Sequence, residues 1–134
     1  MKMFFSHSVR IAFHHADPAG VVFFGKLFEI AHGVYEEAAA SHKSGKGFSN
    51  WFQNKKFAFP IRNAEADYLA PIRAGEVLTA RVYVEGVSES SWVLRCDFTQ
   101  GRKVLAMVKT VHVCVAKATG AKAPLPASIR KFLK

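Results

Sequence analysis

Residues 14–41, HHADPAGVVFFGKLFEIAHGVYEEAAAS, contain the change of pattern that decides the fold. Asp17-Pro18-Ala19-Gly20 predicts a turn, because proline fixes φ and glycine permits positive φ. Beyond this turn, apolar residues recur at three- and four-residue steps, which predicts an amphipathic helix over about residues 23–41. The residues of that apolar stripe are Leu27, Ile30, Ala31, Val34, Tyr35 and Ala38.

Strand-like alternation flanks this helix on both sides. Before it, Val9, Ile11 and Phe13 alternate with polar or small residues and predict a strand from Ser8 to His14. After it, four segments separated by Gly, Pro and Ser predict strands over about residues 58–69, 76–87, 91–100 and 103–116. A short basic segment, 128–134, predicts one or two helical turns.

An apolar helix stripe and a sheet with one apolar face bury each other. We therefore predict an α+β fold, with a five-stranded antiparallel sheet wrapped around one long central helix. The 134 residues fit one domain, 1–134. Such a sheet leaves edges, and pairing of the edges of two copies would produce a homodimer.

The composition limits the classes of protein to which this chain can belong. Half of the residues are hydrophobic and 22% are charged, which excludes a disordered chain. The 19 basic and 10 acidic residues give a net charge of +9, which indicates an anionic partner such as nucleic acid, acidic lipid or a phosphorylated small molecule. Two cysteines without CxxC spacing predict buried reduced thiols. Neither a signal peptide nor a membrane span is predicted, so we expect a cytoplasmic protein that binds no membrane.

The turn at Asp17 places a carboxylate just before a helix N-terminus. The first N–H groups of a helix have no partner within the helix and carry partial positive charge, so they suit an oxyanion. A carboxylate beside them can act as a nucleophile or as a general base toward a polarised carbonyl. From spacing alone, Asp17 could equally be a residue that caps the turn.

These residues resemble a known family. Asp17-Pro18-Ala19-Gly20-Val21-Val22-Phe23-Phe24 before a helix resembles the opening motif of the hotdog-fold thioesterases of the 4-hydroxybenzoyl-CoA thioesterase family. Ala66-Asp67-Tyr68-Leu69-Ala70-Pro71 and Gly75-Glu76-Val77-Leu78 resemble the second block of that family. Residues 31–36 and 112–115 are more similar to its 1,4-dihydroxy-2-naphthoyl-CoA thioesterase branch, and the resemblance covers about residues 6–133.

The resemblance implies an acyl-CoA thioesterase that acts on a hydroxybenzoyl- or dihydroxynaphthoyl-type thioester. Asp17 would be the catalytic carboxylate, and the backbone N–H groups of Phe24 and Gly25 would form the oxyanion hole. The family implies a homodimer or homotetramer with active sites between subunits. It requires no cofactor and no metal.

Other site residues follow less directly. Some branches of the family carry the catalytic carboxylate as a helix glutamate, so Glu29, Glu36 and Glu37 are rivals of Asp17. His32 and Glu36 share a helix face with Glu29, and we expect them to bind the acyl group or water; His32 could equally be a hydrogen-bonded histidine in a subunit interface. A metal site there is not expected. Phe23 and Phe59 belong to a group of aromatic residues that would line an aryl pocket or would simply pack in the core.

The basic residues have two interpretations. Lys55, Lys56 and Lys122 are predicted to hold the phosphates of coenzyme A, within a wider set that includes Arg102, Lys103 and Lys117. Each could instead be a solvated surface charge. Ser44-Gly45-Lys46-Gly47 lacks the spacing of a phosphate-binding P-loop.

Three other functions remain open at this point. The chain could be an acyl-carrier-protein thioesterase or a hotdog protein that binds acyl-CoA without hydrolysing it. It could also be a basic nucleic-acid-binding module, although we expect no nucleic-acid partner. Such a module needs exposed aromatic residues interleaved with basic ones, and only residues 51–57 approach that pattern.

Overall fold

Five antiparallel strands form the main sheet in the computed structural model, which describes residues 3–42 and 47–134. The order across the sheet is β1-β4-β5-β6-β3, so β1 and β3 are its edges. A separate two-stranded ribbon pairs β2 with β7. In chain order the strands are β1 Met3–Arg10, β2 Phe57–Ala58, β3 Ile61–Tyr68, β4 Val77–Val87, β5 Ser91–Gln100, β6 Lys103–Val113 and β7 Val115–Ala116.

Three α-helices accompany the strands: α1 Phe24–Ala40, α2 Gly47–Phe52 and α3 Ala127–Phe132. The buried face of α1 contains every residue of the predicted stripe, so both the helix and its orientation are confirmed. The α+β architecture predicted from the sequence is confirmed as well. Among the described residues, no helix is long and apolar enough to cross a membrane.

Helix α2 was not predicted. It lies in the aromatic and basic stretch after α1, where Trp51 is 4% exposed and packs edge-on against Trp92 and Phe132. Tertiary packing of this indole, which no local pattern shows, accounts for the burial of the helix. Of the sequence Ser44-Gly45-Lys46-Gly47, the first three residues lie outside the described residues.

Three predicted strands have different bounds in the structure. The first runs from Met3 to Arg10 instead of Ser8 to His14; it ends opposite Val77, because β4 begins there and offers no further partner, and residues 13–15 form a 3₁₀ turn. The predicted strand 58–69 divides at Phe59-Pro60, since proline has no N–H for the sheet. Its first part pairs with β7, and the predicted strand 103–116 divides correspondingly at Cys114.

The inner face of β6 carries polar side chains into the core. Thr110 and His112 are 3% and 2% exposed. The Thr110 hydroxyl lies 2.8 Å from the Tyr35 hydroxyl of α1 and 2.9 Å from Nε2 of His112. The His112 ring stacks on Trp92, with ring centroids 5.0 Å apart. A hydrogen-bonded chain therefore links α1 to the sheet inside an otherwise apolar core.

His112 is uncharged in this environment. Burial, assisted by the nearby His32, lowers the pKa of His112 from its ordinary value of 6.5 to about 3. The buried Nε1 of Trp92 has no hydrogen-bond partner among the described residues. The core therefore contains an unpaired indole N–H beside an uncharged histidine. The N–H costs free energy because it is buried without an acceptor, and protonation of the buried histidine would cost free energy as well.

We expect the free energy of unfolding to fall as the pH drops from 6.5 toward 3. Over this range the unfolded state binds a proton on His112 that the folded state does not, so each pH unit costs up to about 1.4 kcal/mol. Urea unfolding at pH 4.5, 5.5, 6.5 and 7.5 measures this slope. In His112→Gln, the slope of the unfolding free energy against pH should be smaller by the contribution of one proton. Equal slopes in the two proteins would contradict an uncharged His112 in the folded state.

Candidate functional site

The loop between β1 and α1 is held by backbone hydrogen bonds. The Asp17 N–H donates to the Val21 carbonyl at 2.9 Å, and the Gly20 N–H donates to the Asp17 carbonyl at 2.9 Å. The Val22 N–H donates to the Ile72 carbonyl at 2.7 Å and ties the loop to the segment before β4. Gly20 has a φ of +79°, a conformation that favours glycine. The loop therefore presents Asp17 from a fixed backbone.

The Asp17 carboxylate is half-buried, and only one of its two oxygens accepts a hydrogen bond from the turn. Its Oδ1 accepts the Ala19 N–H at 2.8 Å, so the turn-capping role that spacing left open is real. Within residues 3–42 and 47–134, Oδ2 has no hydrogen-bond partner. One oxygen thus anchors the side chain while the other keeps its lone pairs for a ligand or a water molecule.

Helix α1 begins just after this loop, as the sequence predicts. Phe23 precedes the helix and gives it no side-chain cap, and Phe24 and Gly25 are its first two residues. Their N–H groups have no acceptor within the helix, because helical hydrogen bonds reach four residues back. Phe23 and Phe24 are 49% and 63% exposed, so the start of the helix faces outward.

An apolar cleft of about 340 Å³ lies beside the start of the helix. Tyr68 at the end of β3 forms part of its wall, and the Tyr68 hydroxyl donates a hydrogen bond to the Phe24 carbonyl. Leu69, also in the wall, is 58% exposed. The remaining lining residues are Val21, Val22, Ala70, Pro71 and Ile72. The cleft is an open, mainly apolar surface, and the Tyr68 hydrogen bond connects its wall to the first residue of α1.

His15 lies on the other side of the loop. Its Nδ1 accepts the Ala12 N–H at 3.1 Å, so the neutral ring carries its proton on Nε2. Burial and the neighbouring His14 lower the pKa of His15, against a smaller opposing effect of Glu29. As a neutral histidine two residues before Asp17, His15 adds no full positive charge to this loop.

The structure does not bring His32 and Glu36 to Asp17 within one chain. His32 Nδ1 and Glu36 Oε2 lie 3.2 Å apart on α1, and the His32 ring packs near Phe52 with centroids 5.9 Å apart. At 1.5 Å per residue they lie about 12 and 18 Å along the helix from Phe24. They form a polar pair next to aromatic residues, but not a part of the Asp17 loop.

The rival glutamates differ from Asp17 in exposure and pairing. Glu29 forms an ion pair with Lys26 at 3.2 Å and its side chain is 65% exposed. Glu37 is also exposed. Among the described residues, no group of three or more His, Cys, Asp or Glu side chains is arranged to hold a metal ion, so Glu29, His32 and Glu36 do not form such a group.

Phe59 lies far from the loop. It follows β2 and packs on Trp92, with centroids 5.5 Å apart. The length of β3, which separates it from the Tyr68 end, is roughly 23 Å. Phe23, in contrast, lies directly at the start of α1, and its ring contacts that of Phe24 with centroids 4.7 Å apart.

The predicted phosphate-binding lysines do come together. The Lys117 N–H donates to the Lys56 carbonyl at 2.9 Å, Lys55 precedes Lys56, and Lys122 pairs with Val115. All four lysines are exposed, and none is in an ion pair with a carboxylate of the described residues. We call Lys55, Lys56, Lys117 and Lys122 the lysine ribbon. It flanks the β2–β7 pair, at the Phe59 end of the sheet.

Tyr68 is the site residue that sequence reasoning missed. Its position in the second motif was visible, but no pattern shows that a residue 44 positions after Phe24 reaches the Phe24 carbonyl. The one sequence signal for this contact was a tyrosine near the end of a predicted strand.

The chain matches the family model described as the thioesterase-like superfamily over residues 11–133. It is 30% identical to a 1,4-dihydroxy-2-naphthoyl-CoA hydrolase of Nostoc punctiforme, over 98% of this chain and 88% of the relative. It is 32% identical to a protein of the same name from Microcystis aeruginosa, over 87% and 83%. The solved 1,4-dihydroxy-2-naphthoyl-CoA thioesterase of Synechocystis superposes with a TM-score of 0.83 at 26% identity, over 98% and 96%.

Two glycine variants test the geometry of the loop. Gly20→Ala should lower the free energy of unfolding by about 1–2 kcal/mol, because a φ of +79° strains any residue with a Cβ although nothing lies within 4 Å of it. Gly33→Ala is the matched control. A Cβ at this position in α1 also meets nothing within 4 Å, and it should stabilise the protein by about 0.5–1 kcal/mol. Urea unfolding of both variants measures the difference; equal stabilities would contradict the strained turn.

Proposed function

Because the chain belongs to the thioesterase-like superfamily, we propose that it hydrolyses an aromatic acyl-coenzyme A thioester to the free acid and coenzyme A. The observation that carries the proposal is Asp17. Its Oδ2 has no hydrogen-bond partner in the described part of the chain, and the hydrogen-bonded turn that carries it leads into the first turn of α1. The names of the Nostoc and Microcystis relatives support the aromatic class of the acyl group.

The chemistry follows from this juxtaposition. The N–H groups of Phe24 and Gly25 bind the thioester oxygen and stabilise the negative charge that develops on it. Asp17 either attacks the carbonyl carbon itself or removes a proton from an attacking water. In the first case the tetrahedral intermediate expels the coenzyme A thiolate and leaves a mixed anhydride, which water then hydrolyses. Both routes yield the same products.

The acyl group fits the apolar side of the site. The cleft beside Val22 and Tyr68 is lined mainly by apolar side chains, and the exposed rings of Phe23 and Phe24 lie next to it. Flat aromatic groups pack favourably against such rings and lose little conformational freedom on binding. This supports an aryl thioester over a long flexible acyl chain.

We propose that two copies complete the site. Strand β3 is an edge, and seven of its eight residues are exposed. Exposed apolar side chains accompany that edge, with Ile61 at 40%, Tyr68 at 45% and Leu69 at 58% exposed. Antiparallel pairing of two β3 edges would cover both the unpaired backbone and these side chains. A homodimer, or a tetramer built from it, follows from this pairing.

Such a dimer brings the lysine ribbon to the other subunit's loop. In a symmetric antiparallel pair, the Ile61 end of one β3 lies beside the Tyr68 end of the other. The Tyr68 end carries the start of α1, and the Ile61 end follows Lys55 and Lys56. The four exposed, unpaired lysines are then placed to bind the phosphates of coenzyme A in trans. His32 and Glu36 would likewise contact the acyl group of the second copy.

Two other features support this reading of the protein. Trp51 is buried against Trp92, so the stretch 51–57 lacks the exposed indole that a nucleic-acid-binding module would use for stacking. Cys96 and Cys114 are free and buried, which fits the reducing cytoplasm as the place of the reaction.

The first experiment measures thiol release from aryl and aliphatic coenzyme A thioesters and from an acyl carrier protein thioester. We expect turnover to be fastest with an aryl-CoA. Asp17→Asn should lower kcat by about two to four orders of magnitude, because it removes the nucleophile or base while preserving the shape of the side chain.

Three controls interpret the result. Glu89→Gln makes the same chemical change in an exposed turn and should leave kcat unchanged. Glu29→Gln and Glu37→Gln test the rival carboxylates, and a loss confined to one of these would move the chemistry to the helix. Binding of aryl-CoA without any thiol release would refute hydrolysis. If the carrier-protein thioester is hydrolysed faster than every coenzyme A thioester, the acyl donor is a carrier protein and not coenzyme A.

A mixed dimer tests the lysines in trans. Lys55→Glu/Lys56→Glu should raise KM for an acyl-CoA about tenfold, roughly 1.4 kcal/mol of binding, with kcat retained. When the lysine variant is coexpressed with Asp17→Asn, each mixed dimer should contain one native site, with Asp17 from the first chain and the lysines from the second. That site should have the wild-type KM. If the lysines act in cis, or if the protein sediments as a monomer at micromolar concentration, no such site appears. Lys131→Glu/Lys134→Glu, at two exposed residues near the C-terminus, is the charge-matched control.

A further inference from the structure

We propose that the Tyr68 hydroxyl is a positioning group that sets the direction of the Gly25 N–H in the oxyanion-binding turn. The inference rests on the proposed function, since it assigns a role within that site. It concerns a side chain that does not react and that belongs to a different element, the end of strand β3.

The argument begins with one peptide unit. The Phe24 carbonyl and the Gly25 N–H belong to the same planar group and point in opposite directions. A hydrogen bond that fixes the carbonyl therefore fixes the N–H as well. The Tyr68 hydroxyl donates such a bond to the Phe24 carbonyl across 44 residues of sequence.

The start of α1 is the weakly held end of the helix. Phe23 provides no side-chain cap, so the first N–H groups lack the partner that Ser, Thr, Asp or Asn would supply. Gly25 has no Cβ to restrict its own dihedral angles. Within the helix the Phe24 carbonyl has one partner, the Phe28 N–H of the terminal turn, and the Tyr68 hydroxyl adds a second one from the sheet.

Tyr68 is itself firmly placed. It is the last residue of β3, in register with Ala106 of β6, and the following Leu69 N–H donates to the Leu105 carbonyl at 2.9 Å. Its ring forms part of the wall of the cleft beside Val21 and Val22. Partial burial raises the pKa of the Tyr68 hydroxyl, so it remains a protonated donor at physiological pH. A bound acyl group would exclude water from this bond and strengthen it.

Tyr68→Phe tests the proposal by removing one oxygen. We expect kcat for an aryl-CoA to fall about tenfold with KM within twofold of the wild-type value, because a misdirected donor affects the developing charge more than ground-state binding. Tyr83→Phe, which removes a hydroxyl from the ring beneath the Arg95 guanidinium on β4, should change neither constant. Thermal unfolding of both variants verifies that they fold. A kcat within twofold of wild type in Tyr68→Phe would overturn the proposal.

A second measurement does not depend on turnover. The amide chemical shifts of Gly25, followed by NMR, report on the hydrogen bond that its peptide group makes through the Phe24 carbonyl. In Tyr68→Phe, we expect the Gly25 amide resonance to shift while that of Val34 in the middle of α1 stays unchanged. An unchanged Gly25 resonance would refute the positioning role even if the protein hydrolyses thioesters. A shifted resonance in a protein that hydrolyses none would refute the proposed function alone.

Discussion

The burial of one stripe of helix α1 against the sheet is the constraint on which the rest of the structure depends. Leu27, Val34 and Tyr35 are at most 2% exposed. With this face turned inward, the choice of exposed residues on α1 and the position of its first turn are no longer free to vary. The helix start is therefore carried to the edge of the sheet, where the Asp17 loop and the end of β3 meet it.

Two kinds of interaction define the site, and they differ in range. The Asp17 turn is local, since its hydrogen bonds join residues within five positions of one another. The attachment of that turn to the molecule is long-range, through Val22 to Ile72 and through Tyr68 to Phe24. The proposed site thus combines a locally hydrogen-bonded loop with long-range hydrogen bonds to the end of β3 and to the segment before β4.

This division explains what could be predicted from the sequence. Period and turn chemistry predicted α1, the four later strands and the Asp17 turn, because these depend on neighbouring residues. The end of β1 at Arg10 could not be predicted, since it depends on where β4 begins. The burial of Trp51, the polar chain from Tyr35 to His112 and the contact of Tyr68 each join residues at least 40 positions apart. The roles of His32, Phe59 and the lysine ribbon stay predictions, since they depend on a second copy.

The strand order has a consequence for synthesis of the chain on the ribosome. The central strands β4, β5 and β6 are consecutive in sequence and form an antiparallel meander of local pairings, while both edge strands and α1 come from the first 68 residues. The N-terminal half of the nascent polypeptide therefore emerges without the surface it must cover. The apolar stripe of α1 remains exposed until residues 77–113 leave the exit tunnel. We therefore expect the chain to collapse only after its C-terminal half has emerged, and chaperones to bind the nascent chain until then.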